Sequence, residues 1–107
     1  MRRNKFNAIR TTVDGIIFAS RREAKRYAEL KLMERAGEIE SLECQPSFRI
    51  EVSGIRICDY RADFKYLDKR TGEWITEDVK SKATMTPVFK IKARLLRACH
   101  GIQVMIT

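Results

Sequence analysis

Two aspartates, a lysine and a glutamate of this 107-residue chain can be drawn into one acidic centre: Asp63, Asp78, Lys80 and, upstream, Glu23. Residues two apart on an extended chain share a face. In Tyr60–Tyr66 the apolar set Tyr60, Ala62, Phe64 and Tyr66 takes one face and Arg61, Asp63 and Lys65 the other. In Trp74–Lys80 the same period puts Asp78 with Lys80, while Glu77 and Val79 point the opposite way unless a bulge shifts the register. Pairing the two stretches through a turn at 69–73 brings Asp63 into the neighbourhood of Asp78. Two carboxylates can hold magnesium or manganese through oxygen ligands and leave room for water and a phosphate oxygen. An ammonium beside them can orient the water or neutralise charge developing on the phosphate. The chemistry that needs this set is phosphodiester hydrolysis. Spacing alone leaves a second reading open, in which Asp63 and Asp78 are solvent-face residues paired with Arg61, Lys65 or Lys80. Glu23 has its own alternative, since Ser20-Arg21-Arg22-Glu23 is a capping-box pattern that would stabilise a helix start by about 1 kcal/mol.

The elements that must position these residues are legible in outline. Thr11 to Phe18 reads as a hairpin closed by Asp14-Gly15. A helix is predicted from Arg21 to Ala36, stopping at Gly37, with Ala24, Tyr27, Ala28 and Leu32 as its buried stripe. From Ser47 the period changes to two: Phe48, Ile50 and Val52 alternate, Ser53-Gly54 turns, and Ile55 to Tyr66 is extended. Thr71-Gly72 turns again, and Trp74 to Lys80 is the third strand. Thr86-Pro87 opens a helix from Val88 to about Cys99, Gly101 ends it, and Ile102 to Ile106 is a closing strand. The expectation is an α/β domain over residues 9–107, with a mixed sheet in the order helix, three antiparallel strands, helix, strand. Residues 1–8 read as a basic arm.

Charge speaks about partners. Twenty-two basic against 14 acidic residues give a formal charge of +8, which points first to nucleic acid. No acidic residue follows Asp78, whereas Lys80, Lys82, Lys90, Lys92, Arg94 and Arg97 do. Cys44, Cys58 and Cys99 are too few and too scattered for a secreted disulfide framework or a zinc pair, and read as reduced, packed thiols. No apolar run approaches the roughly 20 residues a membrane span needs. The sequence therefore predicts a cytoplasmic protein.

The ordered pattern Phe18-Ala-Ser-Arg-Arg-Glu23-Ala24, Tyr60-Arg-Ala-Asp63-Phe64 and Glu77-Asp78-Val79-Lys80 resembles the PD-(D/E)XK nuclease superfamily. Within it the chain is most similar to short phage- and prophage-encoded proteins, and more distantly to archaeal Holliday junction resolvases and a transposase nuclease subunit. The resemblance runs from about Thr11 to Ile106. It implies a restriction-endonuclease-like core and magnesium-dependent DNA cleavage leaving 5′-phosphate and 3′-hydroxyl ends. It puts the first-helix glutamate at Glu23, the metal-binding aspartate at Asp63 and the D/E-x-K pair at Asp78 and Lys80, with Glu23, Asp63 and Asp78 as ligands. The signature proline is absent, because Ala62 precedes Asp63, and an aspartate begins the D-x-K.

Further residues attach to this reading. Lys90, Arg94 and Arg97 share one side of the second helix, Lys82 follows the active-site lysine, and Arg2, Arg3 and Lys5 form the arm; all are candidate phosphate contacts. Gln45-Pro46 reads as structural, with a minor role near the site, and Trp74, Tyr60 and Tyr66 as core. The expected activity is a metal-dependent endonuclease on duplex, nicked or branched DNA. A domain this small favours recognition of shape, or specificity from a partner protein, and a homodimer would suit junction resolution. The rival readings are a nuclease-fold adaptor without catalysis and a general basic nucleic-acid-binding module.

Overall fold

A computed structural model of the chain describes residues 9–107. Strands β1 (Thr11–Val13) and β2 (Ile16–Phe18) form the expected hairpin. Its turn is Asp14-Gly15, both at positive φ (52° and 76°), the combination that a two-residue connection needs to match the strand twist. Helix α1 (Arg21–Arg35) is capped by the Ser20 hydroxyl, which accepts the Glu23 N–H. The Glu23 carboxylate reaches back one residue further than a capping box requires, accepting from the Ala19 N–H at 3.3 Å.

The extended region holds more strands than the sequence pattern suggests. These are β3 (Ile39–Cys44), β4 (Ser47–Val52), β5 (Ile55–Arg61), β6 (Phe64–Asp68) and β7 (Glu73–Asp78). A short 3-10 turn at Lys82–Thr84 leads to α2 (Pro87–His100), capped by the Thr86 hydroxyl and closed by Gly101 in the left-handed region (φ 68°). Strand β8 (Met105–Ile106) follows. The mixed sheet has the order β3-β6-β7-β8, with β8 parallel to β7 and the other neighbours antiparallel; β4 and β5 pair separately as a ribbon.

The strand layout differs from the expected one. Strand β3 was not anticipated, because its register shifts between Glu40 and Glu43 and Ser41 takes a positive φ of 57°, so the apolar residues fall at 39, 42 and 44 rather than at a period of two. The extended stretch Ile55–Tyr66 is two strands. It breaks at Ala62-Asp63, where the Ala62 N–H goes to the Pro46 carbonyl and the Asp63 N–H to the Glu77 carbonyl. The closing strand pairs only at its last two residues, and β7 ends at Asp78 rather than Lys80.

The break at 62–63 serves two cores. Phe64 and Tyr66 pack with Phe18, Ala24, Tyr27, Leu30 and Ile39 under α1. Tyr60 and Ala62 pack with Ile50 and Leu96 under α2. Alternation continues across the break, so Tyr60, Ala62, Phe64 and Tyr66 are all buried as predicted. The α1 stripe differs: Ala24, Tyr27 and Leu30 are buried, whereas Ala28 is exposed and Leu32 is 62% exposed. Both patterns are helical, and the stripe is set by where β1, β2 and β3 meet the helix. Trp74 is not core but 57% exposed, with the Lys65 ammonium 5.3 Å from its ring centroid. The three cysteines are unpaired; Cys44 and Cys58 are half-buried, while Cys99 is exposed rather than packed. Among the described residues no helix is long and apolar enough to cross a membrane.

Candidate active site

Asp63 sits at the β5–β6 break and Asp78 at the end of β7, and the two hold each other. The Asp63 N–H donates to Asp78 Oδ1 at 3.0 Å, and the Val79 N–H donates to Asp63 Oδ2 at 2.7 Å. Each carboxylate thus accepts from the other's strand. The Asp63 N–H is shared between Asp78 Oδ1 and the Glu77 carbonyl, the latter at 3.1 Å. The Tyr60 hydroxyl donates to Asp78 Oδ2, so both Asp78 oxygens have donors and the side chain is fixed.

Lys80 follows on an extended segment pinned from the far end of the chain. The Thr107 N–H donates to the Asp78 carbonyl at 2.9 Å and the Lys80 N–H to the Thr107 carbonyl at 3.2 Å. The Lys80 ammonium lies 4.6 Å from the centroid of the Phe89 ring, on α2. Glu23, from the first turn of α1, lines an open cavity of about 270 Å³ together with Asp63, Gln45, Arg61 and Arg10.

The four predicted residues therefore meet, and their electrostatics record it. Burial pushes the Asp63 carboxyl up from its usual 3.8 to about 7, with the Glu23 charge adding to it. Burial also raises Asp78, against the opposing pull of the Tyr60 hydroxyl and the Lys80 ammonium. Glu23 is raised by burial, with the Ala19 N–H and Lys80 opposing. Crowded carboxylates with raised protonation in a polar cleft are a costly arrangement, and such costs concentrate at functional sites. Among the described residues no three carboxylate, histidine or cysteine side chains form a ready-made metal cage. Of the expected ligands, Asp63 and Asp78 are joined through each other's backbone N–H groups, and Glu23 Oε2 accepts from the Ala19 N–H.

Glu77 points away from this cleft, as its parity predicts, but it is not idle. It is fully buried on the α1 side of the sheet, where it accepts from Arg26 Nε at 2.5 Å and Nη2 at 3.1 Å, from the Tyr66 hydroxyl at 2.7 Å and from the Thr107 hydroxyl at 3.0 Å. Those bonds satisfy a buried charge and fasten the strand that carries Asp78 to both α1 and the chain end.

The other predicted contacts are more scattered. Lys82 is exposed on the 3-10 turn, and Lys90, Arg94 and Arg97 are exposed along α2 and line one groove. Arg2, Arg3 and Lys5 lie outside the described residues. Sequence reasoning missed the roles of Tyr60, read only as core, and of Arg61, read only as an ion-pair partner. It underrated Gln45, whose side chain bonds the Ile17 carbonyl at 2.9 Å and the Arg61 guanidinium, and whose N–H takes the Asp63 carbonyl at 2.8 Å. The only hint was Gln45-Pro46 interrupting an otherwise extended run.

No curated protein and no solved structure matches the chain. A family model does match, over residues 3–104, so that the chain belongs to the family described as Protein of unknown function (DUF1064).

Proposed function

We propose that this chain is a divalent-metal-dependent DNA endonuclease of the PD-(D/E)XK type. The observation that carries the reading is the reciprocal hold between Asp63 and Asp78, which fixes two carboxylates side by side where burial raises both, next to Lys80 and Glu23. The mixed sheet covered by α1, with β8 parallel to β7 and α2 packed on the β4–β5 ribbon, is compatible with a restriction-endonuclease-like core.

The donor set suits magnesium or manganese. Both cations favour hard oxygen ligands, and magnesium is commonly held by one or two carboxylates with water completing its shell. Asp63 and Asp78 would hold it, and a dication would offset the burial that raises both carboxyls. When bound, it would make a water more acidic and neutralise charge on the phosphate. Lys80 supplies a compact cation where that charge grows, and its aromatic neighbour Phe89 limits where the ammonium can go. Arg10 and Arg61 at the mouth of the cleft offer guanidinium groups to flanking phosphates. Glu23, at the helix start, would join Asp63 and Asp78 as a ligand or orient a water, with Oε2 already accepting from the Ala19 N–H. With so little surface for reading bases, recognition of branched or nicked DNA is the substrate expectation. The protein would act in the cytoplasm, with a second copy or a partner protein serving the second strand.

One observation favours the rival reading of a nuclease-fold DNA-binding adaptor. Asp78 is 2% exposed and both its oxygens already have protein donors, as a purely structural carboxylate would. Cleavage separates the two. Labelled nicked, linear and four-way-junction DNA would be incubated with magnesium, manganese or EDTA, using wild type, Asp78→Ala and Lys80→Ala. Metal-dependent cutting lost in both variants is expected. Binding without cutting on every substrate, unchanged by either substitution, would establish the adaptor.

A further inference from the structure

Beyond the acidic cleft, α2 and the segment returning to β8 enclose a groove of about 260 Å³ whose chemistry is divided. Its floor is apolar and half-buried, built from Phe89, Ile102 and Val104, which pack onto the α2-side core. Its rim is cationic and exposed, built from Lys90, Arg94 and Arg97. No acidic residue lines it, and none occurs anywhere after Asp78. One floor residue of the groove adjoins the acidic centre. Phe89, on its floor, lies 4.6 Å from the Lys80 ammonium and 6.3 Å, ring to ring, from Tyr60, whose hydroxyl holds Asp78.

A cationic rim over an apolar floor suits a polyanion that also carries apolar faces. Duplex DNA offers phosphates, but its bases are stacked inside and give an apolar floor nothing to bury. An unpaired strand offers both, phosphates to the cations and base faces to the floor. At 1.5 Å per helical residue, Lys90 to Arg97 spans about 10 Å, room for a short run of phosphates. We infer that this groove binds a short unpaired DNA segment continuous with the strand at the Asp63–Asp78 cleft, so that the substrate class is DNA with a single-stranded branch or flap. This rests on the proposed nuclease reading, which it narrows.

The test is binding without cleavage, so that it stands or falls separately from catalysis. Fluorescence anisotropy in EDTA, at fixed ionic strength, would compare the full chain on a blunt duplex and on the same duplex with a short unpaired 5′ or 3′ tail. A third probe would carry an abasic tail of equal charge. The tail is expected to tighten binding by about tenfold and the abasic tail to forfeit most of that gain, the scale of one stacked base. Arg94→Glu, on an exposed position and checked by its melting curve, is expected to abolish the preference for the tail while changing duplex affinity less. Equal affinity for all three probes would overturn the inference, whether or not the protein cuts DNA. So would an Arg94→Glu variant that loses duplex and tailed DNA alike, which would make the rim a general phosphate surface. Competition by an acidic apolar peptide but not by a single-stranded oligonucleotide would also overturn it, in favour of a protein partner.

Discussion

Replacing Asp63 by Asn should make the metal-free protein more stable, and increasingly so as the pH rises. Asn keeps the shape and can still accept the Val79 N–H, which Asp63 Oδ2 takes at 2.7 Å, so the substitution removes a charge and little else. The Asp63 carboxyl rises from 3.8 to about 7 on folding. Between those values the native state holds a proton that the unfolded chain has lost. Its contribution to stability is therefore full below pH 3.8 and is lost as the pH climbs through 7. At 1.36 kcal/mol per unit the ceiling is about 4 kcal/mol. Water entering the open cleft beside an ionised Asp63 screens part of this, so about 2 kcal/mol is the working expectation. The assay is urea unfolding monitored by circular dichroism in EDTA, at intervals from pH 4 to pH 9, for wild type and Asp63→Asn. The difference curve cancels the carboxylates remote from the cleft and reports Asp63 with its coupling to Glu23 and Asp78. It should lie near zero at pH 4 and favour the variant by about 2 kcal/mol at pH 9. A flat difference curve, or a variant less stable at pH 9, would refute the crowding argument.

Other perturbations follow from the same geometry. Arg26→Ala leaves Glu77 buried without its bidentate partner and should cost about 3–5 kcal/mol in urea unfolding, whereas the Arg26→Ala/Glu77→Gln double variant should recover part of the loss. Tyr60→Phe removes the hydroxyl that holds Asp78 and should cost about 2 kcal/mol at pH 8 and less at pH 4, where the Asp78 carboxyl is protonated more. Leu30→Ala should cost about 2–5 kcal/mol and Leu32→Ala no more than about 0.5 kcal/mol, which melting curves would separate and which distinguishes the observed stripe from the alternative helical one.

What the sequence disclosed and what it hid have physical reasons. Hairpin turns and helix ends were legible because they depend on local chemistry: Asp14-Gly15, Gly54, Ser20, Thr86-Pro87 and Gly101 each occupy the conformation their residue types favour. The faces of Tyr60 to Tyr66 were legible because alternation survives the break at Asp63. The break itself was not, since it comes from long-range bonds to Pro46 and Glu77. Strand β3 was hidden by its register shift, and the α1 stripe by two equally helical choices that only the strands beneath can decide. At the site, parity brought Asp63, Asp78 and Lys80 together, and the pattern around Ser20 placed Glu23 at the helix start. Tyr60 and Gln45 escaped because one residue both fills a core and donates a bond, and because the other's partners lie 16 to 28 residues away.

The central claim, that Asp63 and Asp78 form a centre built to hold a dication, is tested most directly by titrating manganese into the DNA-free protein and counting bound ions by electron paramagnetic resonance. Wild type should bind manganese with magnesium competing, and Asp78→Asn should lose about tenfold or more in affinity. Binding that is absent in wild type, or equal in wild type and Asp78→Asn, would contradict the claim and leave the paired aspartates as scaffolding for the strand break.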